Sequence, residues 1–214
     1  MGIRVLKSAI TKLGNRVELL GNDEDSLSSK TLIIGVFHGD EPQGKYLIDK
    51  YVSEKSNVSA LFIPCLNPDG MQNNTRTNAN GVDLNRNFPT KNWGEDTSAA
   101  GSNPADYYGG NAPAGEIETK FLVEVIDAYK PKAVLTLHSP YKVVNYDGPA
   151  KELAEKISAV IGYPVEGDIG YPTPGSFGTY CGVEKNIPTI TLELDEKIPV
   201  EELIQPVFKI FEII

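Results

Sequence analysis

The stretch TLIIGVFHGDEPQ, Thr31 to Gln43, decides the fold. Its apolar run from Leu32 to Phe37 has the composition of a buried strand, and it delivers His38 onto a Gly-Asp-Glu-Pro turn with Glu41 three positions later. Imidazole nitrogen and carboxylate oxygen are donor types that Zn²⁺ accepts in catalytic sites, where three protein ligands leave a fourth position for water. On their own the two donors read more simply as a surface turn. A metal site needs a third ligand from elsewhere in the chain.

Outward from this strand the chain alternates strand-like and helix-like segments. Residues Arg4 to Lys7 and Arg16 to Leu20 read as short strands joined across Gly14-Asn15, and Gly21 to Lys30 as a polar loop. After the opening strand, Tyr46, Leu47, Ile48, Tyr51 and Val52 recur at helical spacing between Pro42 and Lys55, with Pro42 suited to a first turn. Ala60 to Cys65 is a short apolar strand, and Asn67-Pro68-Asp69-Gly70 has the composition of a turn. Further on, the patterning predicts a helix over Glu116 to Tyr129, a buried strand over Ala133 to Leu137 ending in His138-Ser139, and a strand over Val143 to Tyr146. A helix over Lys151 to Ile161 follows, then a loop from Gly167 to Gly182, a strand over Pro188 to Leu194, and a helix from Val200 to Ile213 kinked at Pro206. The expected class is α/β: one mixed sheet flanked by helices, a single catalytic domain over residues 1–214.

Between Asn67 and Ala114 the chain shows little periodicity and is rich in Asn, Gly, Pro and Asp. Loops of this length inside a compact domain are usually functional or disordered. This one holds Arg76 and the run Asp83-Leu84-Asn85-Arg86-Asn87-Phe88; its later part, Asn92 to Gly115, reads equally as a rim or a surface insertion. The chain has two histidines, and each stands at the carboxyl end of an apolar strand, where open α/β sheets bind ligands. With Glu41 beside the first, that coincidence favours a shared site over two unrelated residues. Glu193 lies in a strand whose alternation puts Thr189, Thr191, Glu193 and Asp195 on one face. That face reads equally as solvated or as one that presents a general base to a metal-bound water.

Composition removes several classes. A formal charge of -9 over 214 residues argues against a nucleic-acid partner, because phosphate binding needs clustered Lys and Arg. No window approaches a membrane span, the first twenty residues lack a signal-like pattern, and the expected location is the cytoplasm. Cys65 and Cys181 are too few for a disulfide framework and are expected as reduced, partly buried thiols. Nothing in the sequence bears on oligomeric state.

Taken together, His38-Gly39-Asp40-Glu41, the Asn67 to Gly70 turn, Asp83 to Phe88, Leu137-His138-Ser139 and Thr191 to Leu194 resemble, in order, the motifs of zinc carboxypeptidases of the carboxypeptidase A type. The resemblance runs from Thr31 to Glu196. It implies one Zn²⁺ per chain held by His38, Glu41 and His138, with Asp83 orienting His38 through its other ring nitrogen. It further implies Glu193 as general base, Arg76 as the cation that stabilises the developing oxyanion, and Asn85 and Arg86 as the clamp on the substrate's terminal carboxylate. The implied partner is a small peptide with a free carboxylate.

Within the family, the shortness of the chain and the stretches Tyr107 to Glu116 and Gly170 to Ser176 resemble bacterial amidases that remove diaminopimelate from a cell-wall tripeptide. The implied reaction is therefore hydrolysis of the γ-D-glutamyl-diaminopimelate amide. A zinc-dependent N-acyl amino acid deacylase of the aspartoacylase or succinylglutamate desuccinylase type is the alternative, since those relatives share the ligands and an Asn-Arg pair. The substrate-contacting tyrosine falls on Tyr171, with Tyr180 second. The position that selects the side chain falls near Phe177 or Gly178, neither of which carries a charge, so Asp168 or loop backbone is the expected partner for a distal zwitterion.

Overall fold

A computed structural model describes residues 3–22, 30–55, 58–96, 103–168 and 170–214. Among them the chain forms strands β1 (Arg4–Ile10), β2 (Arg16–Gly21), β3 (Thr31–Gly35), β4 (Leu61–Ile63), β5 (Ala133–His138), β6 (Val143–Asp147), β7 (Val165–Glu166) and β8 (Thr189–Glu193). Helices are α1 (Gln43–Glu54), α2 (Pro68–Asn73), α3 (Ile117–Tyr129), α4 (Lys151–Ile161) and α5 (Val200–Ile213). All the strands join one mixed sheet in the order β1-β2-β4-β3-β5-β8-β6-β7. Its centre, β4-β3-β5-β8, is parallel, whereas β2 and β6 run antiparallel to the strands they flank.

The central strands read as continuous apolar runs because both faces are covered. On one face Ile33, Phe62, Leu135, Leu137, Ile190 and Leu192 pack with Leu47 and Tyr51 of α1, Ala154 and Ile157 of α4, and Val207 and Phe211 of α5. On the other, Leu32, Ile34, Leu61, Ile63 and Val134 pack with Phe121, Leu122, Val125 and Ile126 of α3 and with Phe88 and Phe177 from the loops. The strand and helix boundaries follow the hydrophobic periodicity closely, because burial of one stripe per helix and two faces per central strand is what stabilises these elements.

Three local departures have physical causes. Asn67-Pro68-Asp69-Gly70, expected as a turn, opens α2: the Asn67 side chain accepts the Gly70 N–H at 2.9 Å and Pro68 occupies the first turn, where its missing donor costs nothing. The predicted loop from Gly167 to Gly182 ends in a π-helical turn, Gly178–Glu184, which packs Tyr180 and Cys181 into the core. Two residues of β7, too short to show alternation, were not expected. The helix α5 continues through Pro206. Most of the predicted Gly21 to Lys30 loop lies outside the described residues.

Two backbone features turn the chain out of the sheet at the site. Val36, just after β3, has φ of 53°, a left-handed conformation that a β-branched residue adopts only when its surroundings hold it there. Here the Leu66 N–H donates to the Gly35 carbonyl at 3.0 Å and the Asn67 N–H to the Val36 carbonyl at 2.9 Å. Gly39 then passes α2 so closely that a Cβ would stand 2.0 Å from the Gly70 carbonyl carbon. Any side chain at position 39 would push the His38–Glu41 turn off its support.

Candidate metal and peptide-binding site

His38 leaves the carboxyl end of β3, Glu41 precedes α1, and His138 ends β5, the strand paired in parallel with β3. Topology thus brings residues a hundred positions apart to one edge. His38 Nδ1 lies 2.7 Å from Glu41 Oε1, and His138 Nδ1 lies 3.1 Å from Glu41 Oε2. One donor atom from each of the three falls within 4.8 Å of the others. Two imidazole nitrogens and a carboxylate, converging at strand ends and each almost wholly buried, form a donor set and geometry that fit zinc. His38 and Glu41 are coupled as an ion pair against the cost of burial. Desolvation opposes charge on His38, yet the Glu41 carboxylate leads in raising its pKa to about 9; the same contact, against desolvation, holds Glu41 far below the ordinary carboxylate range.

Behind the histidines, fully buried Asp83 is the hub of the loop. Its Oδ1 accepts the Asn85 N–H at 2.8 Å and lies 3.3 Å from His38 Nε2, where the alignment is not that of a hydrogen bond. Its Oδ2 accepts from Arg76 Nη2 at 3.0 Å and Nε at 3.3 Å. Desolvation would raise the pKa of this carboxyl, but Arg76 and His38 together keep it ionised at any ordinary pH. Asp83 therefore holds Arg76 by two hydrogen bonds and lies as a charge behind the far ring nitrogen of His38.

His38, Glu41, Arg76, Asn85, Arg86, His138, Tyr171 and Glu193 all line one cavity of about 330 Å³, whereas Asp83 stands behind it. Glu193 stands there beside His138, its register partner across β5 and β8. Burial raises its pKa, and its Oε2 is buried without a hydrogen-bond partner, so of the two readings left even by the sequence the solvated one does not hold for Glu193, which lines the cleft. Asn85 uses Oδ1 to accept the Phe177 N–H at 2.9 Å, which leaves its amide N–H₂ as a donor. Arg86 is 3 % exposed; its Nη1 donates to the Asn85 carbonyl at 2.7 Å, its Nε has no partner, and no carboxylate pairs with it among the described residues. A buried cation without an acid, facing a cavity, suits a carboxylate brought by a ligand.

Tyr171 lines the cavity, and burial raises its pKa. Tyr180, the second tyrosine expected from the sequence, belongs to the core, its ring stacked on Phe88 at 5.6 Å. Asp168 lies on the cavity wall. Two further residues were missed. Asp147, at the end of β6, enters the space that Gly178 leaves free: a Cβ on Gly178 would stand 2.2 Å from Asp147 Oδ2. Burial alone pushes its carboxyl up to about 6, and no cation pairs with it among the described residues. A carboxyl from β6 thus stands in the space beside positions 177 and 178, and the trace of it in the sequence is the glycine at 178. Tyr107, in a segment whose periodicity showed nothing, stacks on both Arg76 and Arg86.

Comparison with known proteins bears on the family and the fold. The family model described as zinc carboxypeptidase matches residues 13–159. Murein peptide amidase A of Escherichia coli is 40% identical over 172 residues, which is 76% of this chain and 69% of that protein. The crystal structure of murein-tripeptide amidase from Escherichia coli superposes with a TM-score of 0.83 at 29% identity, covering 99% of this chain and 90% of that one. Carboxypeptidase A from Helicoverpa armigera has the same fold, with a TM-score of 0.76 at 17% identity over 99% of this chain and 66% of its own.

Proposed function

The chain belongs to the zinc carboxypeptidase family and is a hydrolase, and from that premise we propose that it releases diaminopimelate from L-Ala-γ-D-Glu-meso-diaminopimelate by hydrolysing the γ-D-glutamyl amide. The observation that carries this reading is the division of charge in the cavity. Arg86 awaits a carboxylate at one side, while Asp147 and Asp168 stand on its wall without a partner cation among the described residues. A released residue with a carboxylate at one end and an ammonium at the other matches both. The 40% identity to murein peptide amidase A supports the same choice.

His38, Glu41 and His138 would hold one zinc per chain. Bound there, zinc would supply Lewis acidity and would lower the pKa of a water molecule to near neutrality. Asn85 and Arg86 hold the terminal carboxylate and so decide which amide is presented; a planar guanidinium offers two parallel donors to two oxygens. Glu193 takes the proton of the attacking water on its unpartnered Oε2 and returns it to the departing nitrogen. Its raised pKa places it closer to the operating pH than an ordinary glutamate. Arg76, held by Asp83, donates to the oxygen on which charge develops.

The test incubates the zinc-loaded protein with the tripeptide, with ordinary peptides and with N-acyl amino acids, with and without chelator. Release of diaminopimelate from the tripeptide, abolished by chelation, is the expected result. Turnover of acyl amino acids alone would show the deacylase chemistry instead. No helix of the described residues is long and apolar enough to cross a membrane. As a separate part of this reading we place the reaction in the cytoplasm; export of the enzyme in cell fractionation would overturn that placement.

A further inference from the structure

Arg86, buried, and Arg76, half-buried, are cations of one cavity, and their partners differ. Arg76 is neutralised by Asp83; Arg86 has backbone oxygen and an aromatic ring. The ring is Tyr107, at the end of the 3₁₀ turn Pro104–Tyr107, and its centroid lies 5.0 Å from the Arg76 guanidinium carbon and 5.6 Å from that of Arg86. Backbone contacts strap its segment to the loop that carries both arginines. The Asp106 carbonyl accepts from Arg76 Nε at 3.1 Å, the Tyr108 carbonyl from the Asp83 N–H at 2.9 Å, and the Gly109 carbonyl from Asn87 Nδ2 at 2.7 Å. Gly109 lies so close that a Cβ would stand 2.5 Å from the Arg86 carbonyl oxygen.

An acid placed between two arginines would also hold them, but it would compete with the substrate's carboxylate for Arg86. The face of an aromatic ring attracts both cations through its quadrupole, offsets their mutual repulsion and itself takes up none of their N–H donors. We propose that Tyr107 is a positioning residue: one ring sets the spacing between Arg86 and Arg76, and hence the distance from the terminal carboxylate to the amide that is cut. This inference rests on the roles given above to the two arginines.

The experiment replaces Tyr107 with Phe, with Leu, and with a series of increasingly fluorinated phenylalanines of nearly constant shape, in the zinc-loaded protein. Two readouts are taken: kcat and KM on the tripeptide, and the ¹H and ¹⁵N shifts of the arginine Nε–H groups. Tyr107→Phe should stay within about threefold of wild type, while Tyr107→Leu should lose roughly tenfold in kcat/KM, divided between KM through Arg86 and kcat through Arg76. The fluorinated series should fall in graded order as the ring face loses negative charge. In the spectrum, ring-current shifts of both Arg76 and Arg86 should vanish in Tyr107→Leu. A flat fluorination series, or a loss in Tyr107→Leu accompanied by an equal loss in Tyr107→Phe, would overturn the proposal. If the wild type cleaves no tripeptide, the functional reading fails separately, and the inference is then decided by the arginine shifts and by calorimetric binding of free diaminopimelate to the same variants: unshifted resonances or unchanged affinity would sink it.

Discussion

His138 and Glu193 face each other across the parallel pairing of β5 and β8, so a proposed metal ligand and the proposed base are spaced by one rung of a sheet ladder. The central sheet, buried on both faces, has little freedom to alter that rung. The same ladder places Thr136 opposite Thr191, whose hydroxyls lie 3.3 Å apart.

Changing Glu193 to Gln preserves shape and removes the proton acceptor. Zinc content should stay at that of wild type while kcat falls by roughly 10²–10⁴, the usual worth of a positioned acid–base group. Metal analysis with steady-state kinetics checks both, and undiminished turnover would remove Glu193 from the mechanism.

At position 86, lysine keeps the charge but replaces a planar fork with a point charge. Arg86→Lys should raise KM for the tripeptide by roughly tenfold to a hundredfold, as expected when charged hydrogen bonds worth about 1.5–3 kcal/mol are lost, with a smaller change in kcat. An unchanged KM would mean that the carboxylate binds elsewhere.

For Asp147 the expectation concerns selectivity. Asp147→Asn should lower kcat/KM roughly tenfold on the diaminopimelate peptide and leave a peptide whose last residue lacks the distal ammonium unaffected. Because the carboxyl is pushed up to about 6, the ionised form that binds an ammonium is lost as pH falls through that value. A pH profile of the wild type relative to Asp147→Asn should thus show selectivity declining below pH 6. Equal losses on both peptides would assign Asp147 a packing role only.

Stability offers an independent check at Glu118, 1 % exposed at the start of α3 and remote from the proposed chemistry. Desolvation is the first cause, and the neighbouring Glu116 adds to it, of a pKa raised from 4.5 to about 7, despite weak contacts of 3.4 and 3.5 Å from Asn78 Nδ2. A carboxyl whose folded pKa is raised binds its proton more tightly when folded, so stability declines as pH rises from about 4.5 to about 7. Glu118→Gln should remove that decline. Relative to wild type the variant should gain on the order of 2–3 kcal/mol at pH 8 and nothing at pH 4, by denaturant melts at both. Equal stability at pH 8 would show that Glu118 is ionised in the folded protein without cost.

Much of this could be read before any coordinates. Apolar runs ending in His38 and His138 announced strands that present ligands at their carboxyl ends, because a strand buried on both faces must be apolar until it leaves the sheet. Motif order then linked Glu41, Asp83, Asn85, Arg86 and Glu193 into one expected site. Local chemistry also marked Asn67 and Pro68 as a break, although it did not show that the break begins a helix.

What the sequence alone determined are the features that depend on neighbours along the chain: strands, helices and the donor types at their ends. Tertiary structure decided which distant side chains share a volume. It put Tyr180 in the core and Tyr171 on the cavity, set Tyr107 against two arginines, and filled the gap beside Gly178 with Asp147 from another strand. Periodicity records only whether a position is buried, whereas these assignments depend on packing between segments whose separation along the chain carries no periodic signal.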